Sequence, residues 1–429
     1  MVRGAPAAVI LAAGLGTRMG GSAPKPLTRV FGIPVIEHSL RELLRRGFRV
    51  VVVYHHEELK EHIRRHFPQV ELVKNPHPER ENGYSLLLAE ERVKGNFFLL
   101  MGDHYFGDGF FRLLEERYQQ NTAFVSQFCT DEDEATKVVV KEGLVVQCGK
   151  GIKEFNAFDT GLFFCTPEVF EEGKRLLEEG RTKLKLAEIF QSLASRGRLE
   201  ARMVDEVWVD VDTPNDAKVA EGLIKRGLIK DSDGPVSRHL NRHISCLITK
   251  RFARYPWATP NAFTAISFAL AVASALLFWA GCFALGGIVA QVASIVDGVD
   301  GEIARVKRMG TSHGGVLDSV SDRYADALIG LGMAMGYGAC ACSLFGLWLF
   351  ATGSILFSYT WHLTGVRAKY AGRDVRMLLV MAGGLLSAVE PFIVPATLIA
   401  VGTLAHAGSL ASLYGFLQKS RNTTGTSTQ

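Results

Sequence analysis

Between residues 259 and 418 the chain consists mainly of Ala, Leu, Val, Ile, Phe and Gly. This run constrains the fold strongly, because a helix that spans a bilayer needs about 20 mostly apolar residues. Stretches of about that length lie at residues 260–281, 283–304, 314–337, 343–364, 376–393 and 395–417. We therefore predict an all-α domain of six transmembrane helices over residues 259–418. The short separator VEPFIVP leaves open whether the last two stretches are correctly divided.

The basic residues between these stretches predict how the domain is oriented. Lys and Arg follow the second, fourth and sixth stretches, in Arg305–Arg308, Arg367–Arg376 and Lys419–Arg421. The other connections contain neither residue type. Because cytoplasmic loops carry the excess of Lys and Arg, we expect a multi-pass protein of the cell membrane with both termini on the cytoplasmic side.

The rest of the chain is more polar. Residues 1–228 have the charged composition of a soluble enzyme, and the opening MVRGAPAAVILAAG does not have the pattern of a signal peptide, so we expect this domain in the cytoplasm.

In the linker, residues 229–258, apolar Leu240, Ile244 and Leu247 recur at helical spacing among basic residues. This favours an amphipathic helix on the membrane surface over a plain charged linker. We expect a disordered tail at 419–429 and, with a net charge of only +4, no nucleic-acid partner.

Carboxylates interrupt the apolar half. Asp297 and Asp300 end the second stretch, and Asp318 and Asp322 begin the third. A spacing of three or four residues puts each pair on one helix face. An ionised Asp inside a bilayer costs about 2.5–3.5 kcal/mol, so we expect the four to face a watery cavity and bind Mg²⁺ or Mn²⁺. The alternative is that nearby arginines, Arg305, Arg308 and Arg323, neutralise them.

The stretch DGVDGEIARVKRMGTSHGGVLDSVSD resembles the signature of the CDP-alcohol phosphotransferases, D-x2-D-G-x2-A-R-x8-G-x3-D-x3-D. The resemblance implies that Asp297, Asp300 and Asp318 hold metal on the CDP diphosphate, with a contribution from Asp322. It also implies that Asp322 is the base that deprotonates an acceptor hydroxyl, which then attacks the β-phosphorus while CMP leaves. Nucleotide-binding residues on this resemblance are Gly301, Ala304, Arg305 and Gly314.

A basic loop follows the fourth stretch and contains Arg367, Lys369, Arg373 and Arg376. Cationic side chains there are suited to a phosphate on the acceptor. The alternative is the ordinary positive charge of a cytoplasmic loop.

The N-terminal domain opens with AAVILAAGLGTRMGGSAPKPL, an apolar strand followed by a Gly-rich turn and basic residues. Backbone amides in such a turn can cradle phosphates, with charge from Arg18 and Lys25. Apolar strands recur at RVVVVYH and NFFLLMGDH, with helical stretches between them. This pattern predicts a doubly wound α/β domain, in which Asp103 ends a strand at the edge where ligands bind.

These segments, together with WVDVDTPND, resemble the nucleotidyltransferases that join an NTP to a sugar or alcohol phosphate. The resemblance implies that Arg18 and Lys25 act on the triphosphate, and that Asp103 and an acid of DVD, Asp212 rather than Asp210, bind Mg²⁺. An acceptor phosphate would attack the α-phosphorus. Lys153 is a candidate for contact with that phosphate, with a plain surface lysine as the alternative. Nucleotide-binding residues on this resemblance are Ala12, Ala13, Gly14, Gly16, Asn82, Gly83 and Ser85.

The fusion suggests that the product of the first domain is the substrate of the second, which requires CTP as donor. It resembles a family of bifunctional enzymes in which an inositol-1-phosphate cytidylyltransferase is joined to a di-myo-inositol-phosphate-phosphate synthase. That resemblance implies CDP-inositol as intermediate, a second inositol 1-phosphate as acceptor, and a compatible solute as product. It also implies a homodimer through the membrane domain. From the loop charges we expect both active sites on the cytoplasmic side. Two alternatives stay open: a phospholipid synthase with a CDP-lipid donor, and a non-catalytic membrane anchor.

Overall fold

The computed structural model describes residues 6–15, 24–133 and 135–425, with residues 420–425 as backbone only. The chain divides into two compact units, Met1–Ile224 and Lys225–Gln429. The described part of the first unit has thirteen strands: β1 Ala7–Ala12, β2 Arg29–Val30, β3 Ile33–Pro34, β4 Arg49–Tyr54, β5 Glu71–Lys74, β6 Phe97–Met101, β7 His104–Phe106, β8 Thr122–Ser126, β9 Lys137–Lys141, β10 Leu144–Gly149, β11 Ala157–Cys165, β12 Glu200–Met203 and β13 Trp208–Asp210.

Nine of these strands form one mixed sheet in the order β5-β4-β1-β6-β11-β8-β12-β10-β9. β1 lies at the centre of its parallel part and pairs with β4 and β6. Its six residues are all buried, and they alternate between two cores: Val9 and Leu11 pack on one face, Ala8 and Ile10 on the other. A strand covered on both faces needs such a continuous apolar run, which is the pattern that the sequence showed.

Helices cover both faces of this sheet. Those of the first unit are α1 Val35–Arg45, α2 Glu57–His66, α3 Glu81–Leu87, α4 Asp108–Leu113, α5 Glu168–Glu178 and α6 Leu186–Ser195, and α7 Pro214–Leu228 follows them. Apolar residues of α1, α2 and α4 pack in one core, and those of α3, α5 and α6 pack in the other. The predicted doubly wound α/β class is therefore confirmed.

The second unit is all-helical, with α8 Arg242–Phe252, α9 Pro260–Trp279, α10 Phe283–Val306, α11 Ser312–Tyr337, α12 Ala341–Thr364, α13 Arg373–Ser387 and α14 Ile393–Gly425. Each predicted apolar stretch falls on one of the helices α9 to α14. Among the described residues, four helices, α9, α10, α12 and α14, are long and apolar enough to cross a membrane. α11 carries the carboxylates, and α13 has only 15 residues. The number of six spans therefore stays a prediction.

The last helix and the linker differ in detail from expectation. α14 continues to Gly425, so the predicted disordered tail begins inside a helix, and residues 426–429 lie outside the described residues. On α8 the apolar Ile244 and Leu247 are exposed, as expected for a surface-lying helix. Its polar residues Arg242, Ser245 and Thr249, by contrast, are buried, and all three contact Glu302 of α10. Attachment of α8 to the membrane surface stays a prediction.

α9 packs closely against α11, which carries Asp318 and Asp322, and against α10, which carries Asp297 and Asp300. A Cβ atom on Gly332 of α11 would lie 2.2 Å from the carbonyl oxygen of Ala275 on α9, so only glycine allows this approach. α11 begins where the Thr311 hydroxyl accepts a hydrogen bond of 3.0 Å from the amide of Gly314. Asp318 and Asp322 follow one and two turns later.

Candidate active sites

The first unit has a cavity of about 400 Å³ at the carboxyl end of β1. Its size is within the usual range for small-molecule sites. Two predicted residues, Gly16 and Arg18, lie outside the described residues. The predicted residues that line the cavity are Ala12, Ala13, Gly14, Lys25, Asn82, Ser85 and Asp103. The structure therefore brings together segments that are far apart in sequence.

Two predicted residues lie away from this cavity. Gly83 is buried, and a Cβ atom there would lie 2.6 Å from the carbonyl oxygen of Leu184. Its missing side chain thus lets α3 pack closely, and the predicted nucleotide contact stays a prediction. Its neighbour Asn82 accepts a hydrogen bond of 2.8 Å from the amide of Leu186, which fixes the side chain at the cavity wall. Lys153 is exposed and does not line the cavity, so its contact with an acceptor phosphate stays a prediction.

An acidic group lies beside the cavity, where β7 pairs with β13 and sets His104 opposite Asp210. His104 Nδ1 is 3.0 Å from Asp103 Oδ1 and 3.5 Å from Asp210 Oδ1. One ligand atom from each of the three residues lies within 4.8 Å of the others, a spacing that suits a metal ion. Asp210 Oδ1 is buried without a hydrogen-bond partner, so the group has an oxygen still to satisfy.

The electrostatics of this group favour a cation. Burial raises the pKa of Asp210 to about 7, helped by the nearby charges of Asp103 and Asp212. Burial alone would lower the pKa of His104, but Asp210 and Asp103 raise it to about 9. The two carboxylates thus stabilise the protonated, positively charged imidazole, as they would stabilise a bound cation. A divalent cation would fit here.

Asp212, the predicted metal ligand, forms an ion pair with Lys25 in this structure. The geometry therefore groups Asp210 with Asp103. It groups Asp212 with Lys25, which is predicted to contact the triphosphate. Both acids lie in the same corner of the site, since Asp212 contributes to the raised pKa of Asp210. The choice between them stays a prediction.

The second unit has a cavity of about 300 Å³ lined by the four predicted carboxylates, Asp297, Asp300, Asp318 and Asp322. Carboxylate oxygens of Asp297, Asp318 and Asp322 lie within 4.8 Å of one another. Asp300 accepts a hydrogen bond of 2.8 Å from the Thr264 hydroxyl of α9. Asp318 Oδ1 is buried without a hydrogen-bond partner. Converging hard oxygen ligands with an unsatisfied oxygen fit a divalent metal ion.

Arg373 is the main protein counter-charge in this cluster. Its Nη1 atom lies 3.0 Å from Asp297 Oδ2 and 2.7 Å from Asp322 Oδ1, and its Nε atom lies 2.9 Å from Asp326 Oδ1. The sequence placed Arg373 in an acceptor-binding loop, but the structure places it at the start of α13, against the carboxylates. Arg323 also pairs with Asp322, and Arg376 pairs with Asp326. Three guanidinium groups beside the five carboxylates of this cluster leave it negative, so the residues present still fit a divalent cation.

The alternative from sequence, pairing with the nearest arginines, holds for Arg323, whose Nη2 atom is 3.2 Å from Asp322 Oδ2. Arg305 lines the same cavity, and so does Gly301. Ala304 does not line it, and the amide of Gly314 is engaged with the Thr311 hydroxyl at the start of α11. The predicted nucleotide contacts of Ala304 and Gly314 stay predictions.

Of the basic loop, Arg367 lines the cavity, with its guanidinium over the Trp361 ring at 4.8 Å. Lys369 is exposed on a short turn, Lys369–Ala371, and does not line it. Arg373 and Arg376 line the cavity as well, so three of the four basic residues lie at the site and Lys369 lies at the surface.

Comparison with known proteins agrees with this pair of sites. Residues 8–159 match the MobA-like NTP transferase domain, and residues 257–408 match the CDP-alcohol phosphatidyltransferase family. A protein of Thermococcus kodakarensis named bifunctional IPC transferase and DIPP synthase is 37% identical over 88% of this chain and 87% of its own length. A protein of the same name from Rubrobacter xylanophilus is 37% identical over 95% of each chain. The chain belongs to the family of bifunctional IPC transferases and DIPP synthases.

This family membership confirms the predicted fusion, and it makes the chain an enzyme with nucleotidyltransferase and CDP-alcohol phosphotransferase domains. Among solved structures, the inositol-1-phosphate CTP transferase of T. maritima is similar to the chain at 28% identity and a TM-score of 0.45, over 51% of this chain and 94% of that one. Enzymes of the two matched families typically use divalent metal ions.

The bifunctional chain also has site residues that the sequence did not indicate. Lys183 and Glu79 line the first cavity, and Lys230 and Ser232 line the second. His104 joins the acidic group of the first. A local signal exists only for His104, which follows Asp103 directly. The others lie in connecting segments whose path the apolar periodicity does not specify.

A buried network of ion pairs and hydrogen bonds lies between α8 and α10, next to the second cavity. Arg242 of α8 donates to Asp233 at 2.9 Å and to Glu302 of α10 at 2.9 Å. Ser245 and Thr249 also donate to Glu302, which is fully buried. Glu302 lies between Asp300 and Arg305 on α10, so the network fixes the helix that carries the first carboxylate pair.

Arg242→Met should therefore destabilise the second unit, because it leaves Asp233 and Glu302 buried without their partner. We expect the free energy of unfolding to fall by about 3–5 kcal/mol. The measurement is the melting temperature of the detergent-solubilised protein. Arg251→Met on the exposed side of α8 is the matched control. Equal melting temperatures for the two variants would refute this account of the network.

Proposed function

We propose that the chain converts CTP and inositol 1-phosphate to CDP-inositol and pyrophosphate, and then transfers phosphoinositol from CDP-inositol to a second inositol 1-phosphate with release of CMP. The observation that carries this proposal is that one chain contains two carboxylate-lined cavities. Relatives that match nearly the whole chain are named for both activities. A complete carboxylate cluster and those names count against a non-catalytic anchor and against a phospholipid product.

In the first reaction, backbone amides of Ala13 and Gly14 hold the nucleotide phosphates, and Lys25 leaves Asp212 to neutralise the triphosphate. Asp103 and Asp212 would hold Mg²⁺, or Mn²⁺, which supplies further neutralisation of phosphate charge. The phosphate oxygen of inositol 1-phosphate attacks the α-phosphorus, and pyrophosphate leaves on the opposite side. The residues act by positioning and by charge, as is usual in phosphoryl transfer.

In the second reaction, Asp322 accepts the proton of the acceptor hydroxyl, and the resulting oxygen attacks the β-phosphorus of CDP-inositol. Arg373 lies between Asp322 and Asp297 and holds both carboxylates in place. Asp297, Asp300 and Asp318, with Asp322, would hold Mg²⁺ or Mn²⁺ on the diphosphate. Arg305 and Arg367 supply positive charge at the cavity wall for the phosphates of the two substrates.

We further propose that α9 to α14 all enter the bilayer, that both sites open to the cytoplasm, and that the chain is a homodimer through its membrane domain. The one-sided distribution of basic loops supports this orientation. An intermediate made on the cytoplasmic side is then available to the second site without crossing the membrane.

Pyrophosphate release by the purified protein tests the first substrate pair. We expect release with CTP and inositol 1-phosphate at a rate at least tenfold above that with ATP, GTP or UTP, or with glucose 1-phosphate. A faster reaction with another nucleotide or sugar phosphate would reassign the first site while leaving the family assignment intact.

Direct metal binding tests the choice of acid in the first site. We expect Asp212→Asn to weaken Mn²⁺ binding, measured by electron paramagnetic resonance in an Asp322→Asn background, by about tenfold or more, because a charged ligand is lost. Asp210→Asn is the matched variant, and we expect a smaller effect from it. The reverse order would make Asp210 the ligand, as its unsatisfied oxygen suggests.

A further inference from the structure

The segment that connects α7 to α8 lies along the wall of the second cavity. We call residues 229–236 the strap. Four of its residues line the cavity beside the carboxylates: Lys230, Ser232, Asp233 and Gly234. The match to the CDP-alcohol phosphatidyltransferase family begins at residue 257, so the strap lies outside it. A segment outside the family match thus forms part of this site.

Three arginines of the second unit fix the strap. Arg305 Nη2 donates to the carbonyl oxygen of Leu228 at 3.2 Å, and Arg367 Nη1 donates to that of Ser232 at 3.3 Å. Arg242 pairs with Asp233. Lys230 is two residues from each of these carbonyl groups in the chain, and its own amide donates to Asp233 Oδ2 at 3.0 Å. The backbone of the strap is therefore held on both sides of Lys230.

Arginines around this part of the cavity keep N–H groups unsatisfied, even though the carboxylate of Asp374 also lines it. The Nε atoms of Arg305 and Arg367 are buried without hydrogen-bond partners. Of the strap's acids, Asp233 is engaged by Arg242. Desolvation and the charges of Arg305 and Arg242 lower the pKa of Lys230, and together they outweigh the opposite effects of Asp233 and Asp300. Converging cations with unsatisfied N–H groups are suited to a multiply charged anion.

We propose that Lys230 binds the phosphate of the acceptor, together with Arg305 and Arg367, and so selects a phosphorylated acceptor. This inference rests on the proposed second reaction. The donor diphosphate would lie at the carboxylates, which would hold divalent metal ions that neutralise its charge. The acceptor brings a separate phosphate that does not react, and this dianion needs its own cations, which the strap side of the cavity supplies.

The test is the second reaction alone, started with CDP-inositol. Lys230→Gln should raise the KM for inositol 1-phosphate by about 10-fold to 100-fold, the value of a charge-assisted hydrogen bond. The kcat, the KM for CDP-inositol and pyrophosphate release in the first reaction should stay within about threefold of wild type. Lys230→Arg should restore most of the acceptor affinity. Arg226→Gln, an exposed position on α7, is the matched control.

An unchanged acceptor KM in Lys230→Gln would overturn the inference, and so would a rise confined to the KM for CDP-inositol. If wild-type protein transfers nothing to inositol 1-phosphate, the proposed function fails separately. Inorganic phosphate then serves as the probe in a binding titration. Loss of one phosphate site in Lys230→Gln but not in Arg226→Gln would still support the cationic site, and equal binding by the two variants would refute it.

Discussion

Asp322→Asn should abolish transfer to the acceptor while leaving CDP-inositol synthesis intact. The variant removes the group that accepts the acceptor's proton, and a positioned base contributes about 10²–10⁴-fold to the rate. It also removes one carboxylate from a cluster whose oxygens lie within 4.8 Å of one another. We therefore expect kcat for the second reaction to fall by about 10³-fold or more. The measurement is CMP release from supplied CDP-inositol.

Glu390→Gln, in the exposed turn between α13 and α14, is the control for the loss of a carboxylate. It should retain full activity in both reactions. Asp322→Asn should still release pyrophosphate at the wild-type rate, with CDP-inositol accumulating. If the variant retained more than a tenth of wild-type transfer, Asp322 would not be the base.

Asp103→Asn should have the opposite effect: it should impair CDP-inositol synthesis and leave transfer to the acceptor intact. Asp103 lies at the carboxyl end of β6, lines the first cavity and contacts His104. Without its charge the site loses a metal ligand and the partner of a protonated imidazole. We expect pyrophosphate release to fall by about 10²–10³-fold, the usual scale for loss of one electrostatic contact to a developing charge. Transfer from supplied CDP-inositol should be unchanged.

Asp133→Asn, in an exposed loop of the same unit, is the control for this variant. Mixing Asp103→Asn with Asp322→Asn then gives a further check. Each variant keeps the activity that the other lacks, so the mixture should form diester from CTP and inositol 1-phosphate. Failure of the mixture, with both variants folded, would mean that the intermediate does not leave the chain that makes it.

The grouping of the carboxylates could be predicted from the sequence because the relevant information is local. Asp297 with Asp300, and Asp318 with Asp322, lie one helical turn apart, so their faces follow from helical geometry alone. The helices that carry them were also predicted, because apolar runs of about 20 residues have few alternatives. Likewise β1 was predicted from a continuous apolar run that only a strand covered on both faces requires.

Contacts between distant segments could not be predicted in the same way. Arg373 belongs to the carboxylate cluster because α13 packs against α10, a contact that no spacing in the sequence indicates. The packing of Gly83 against Leu184, which lies about 100 residues away in the chain, is likewise a contact that no spacing in the sequence indicates. The pairing of His104 with Asp210 depends on a two-stranded sheet of three residues each.

A chain that carries two successive reactions should show both of them in one phosphorus NMR experiment, with the detergent-solubilised wild-type protein, CTP, Mg²⁺ and inositol 1-phosphate. We expect pyrophosphate and a CDP-alcohol signal first, followed by decay of that signal as CMP and a phosphodiester appear. A CDP-alcohol signal that accumulates without decay, while no phosphodiester forms, would contradict this expectation.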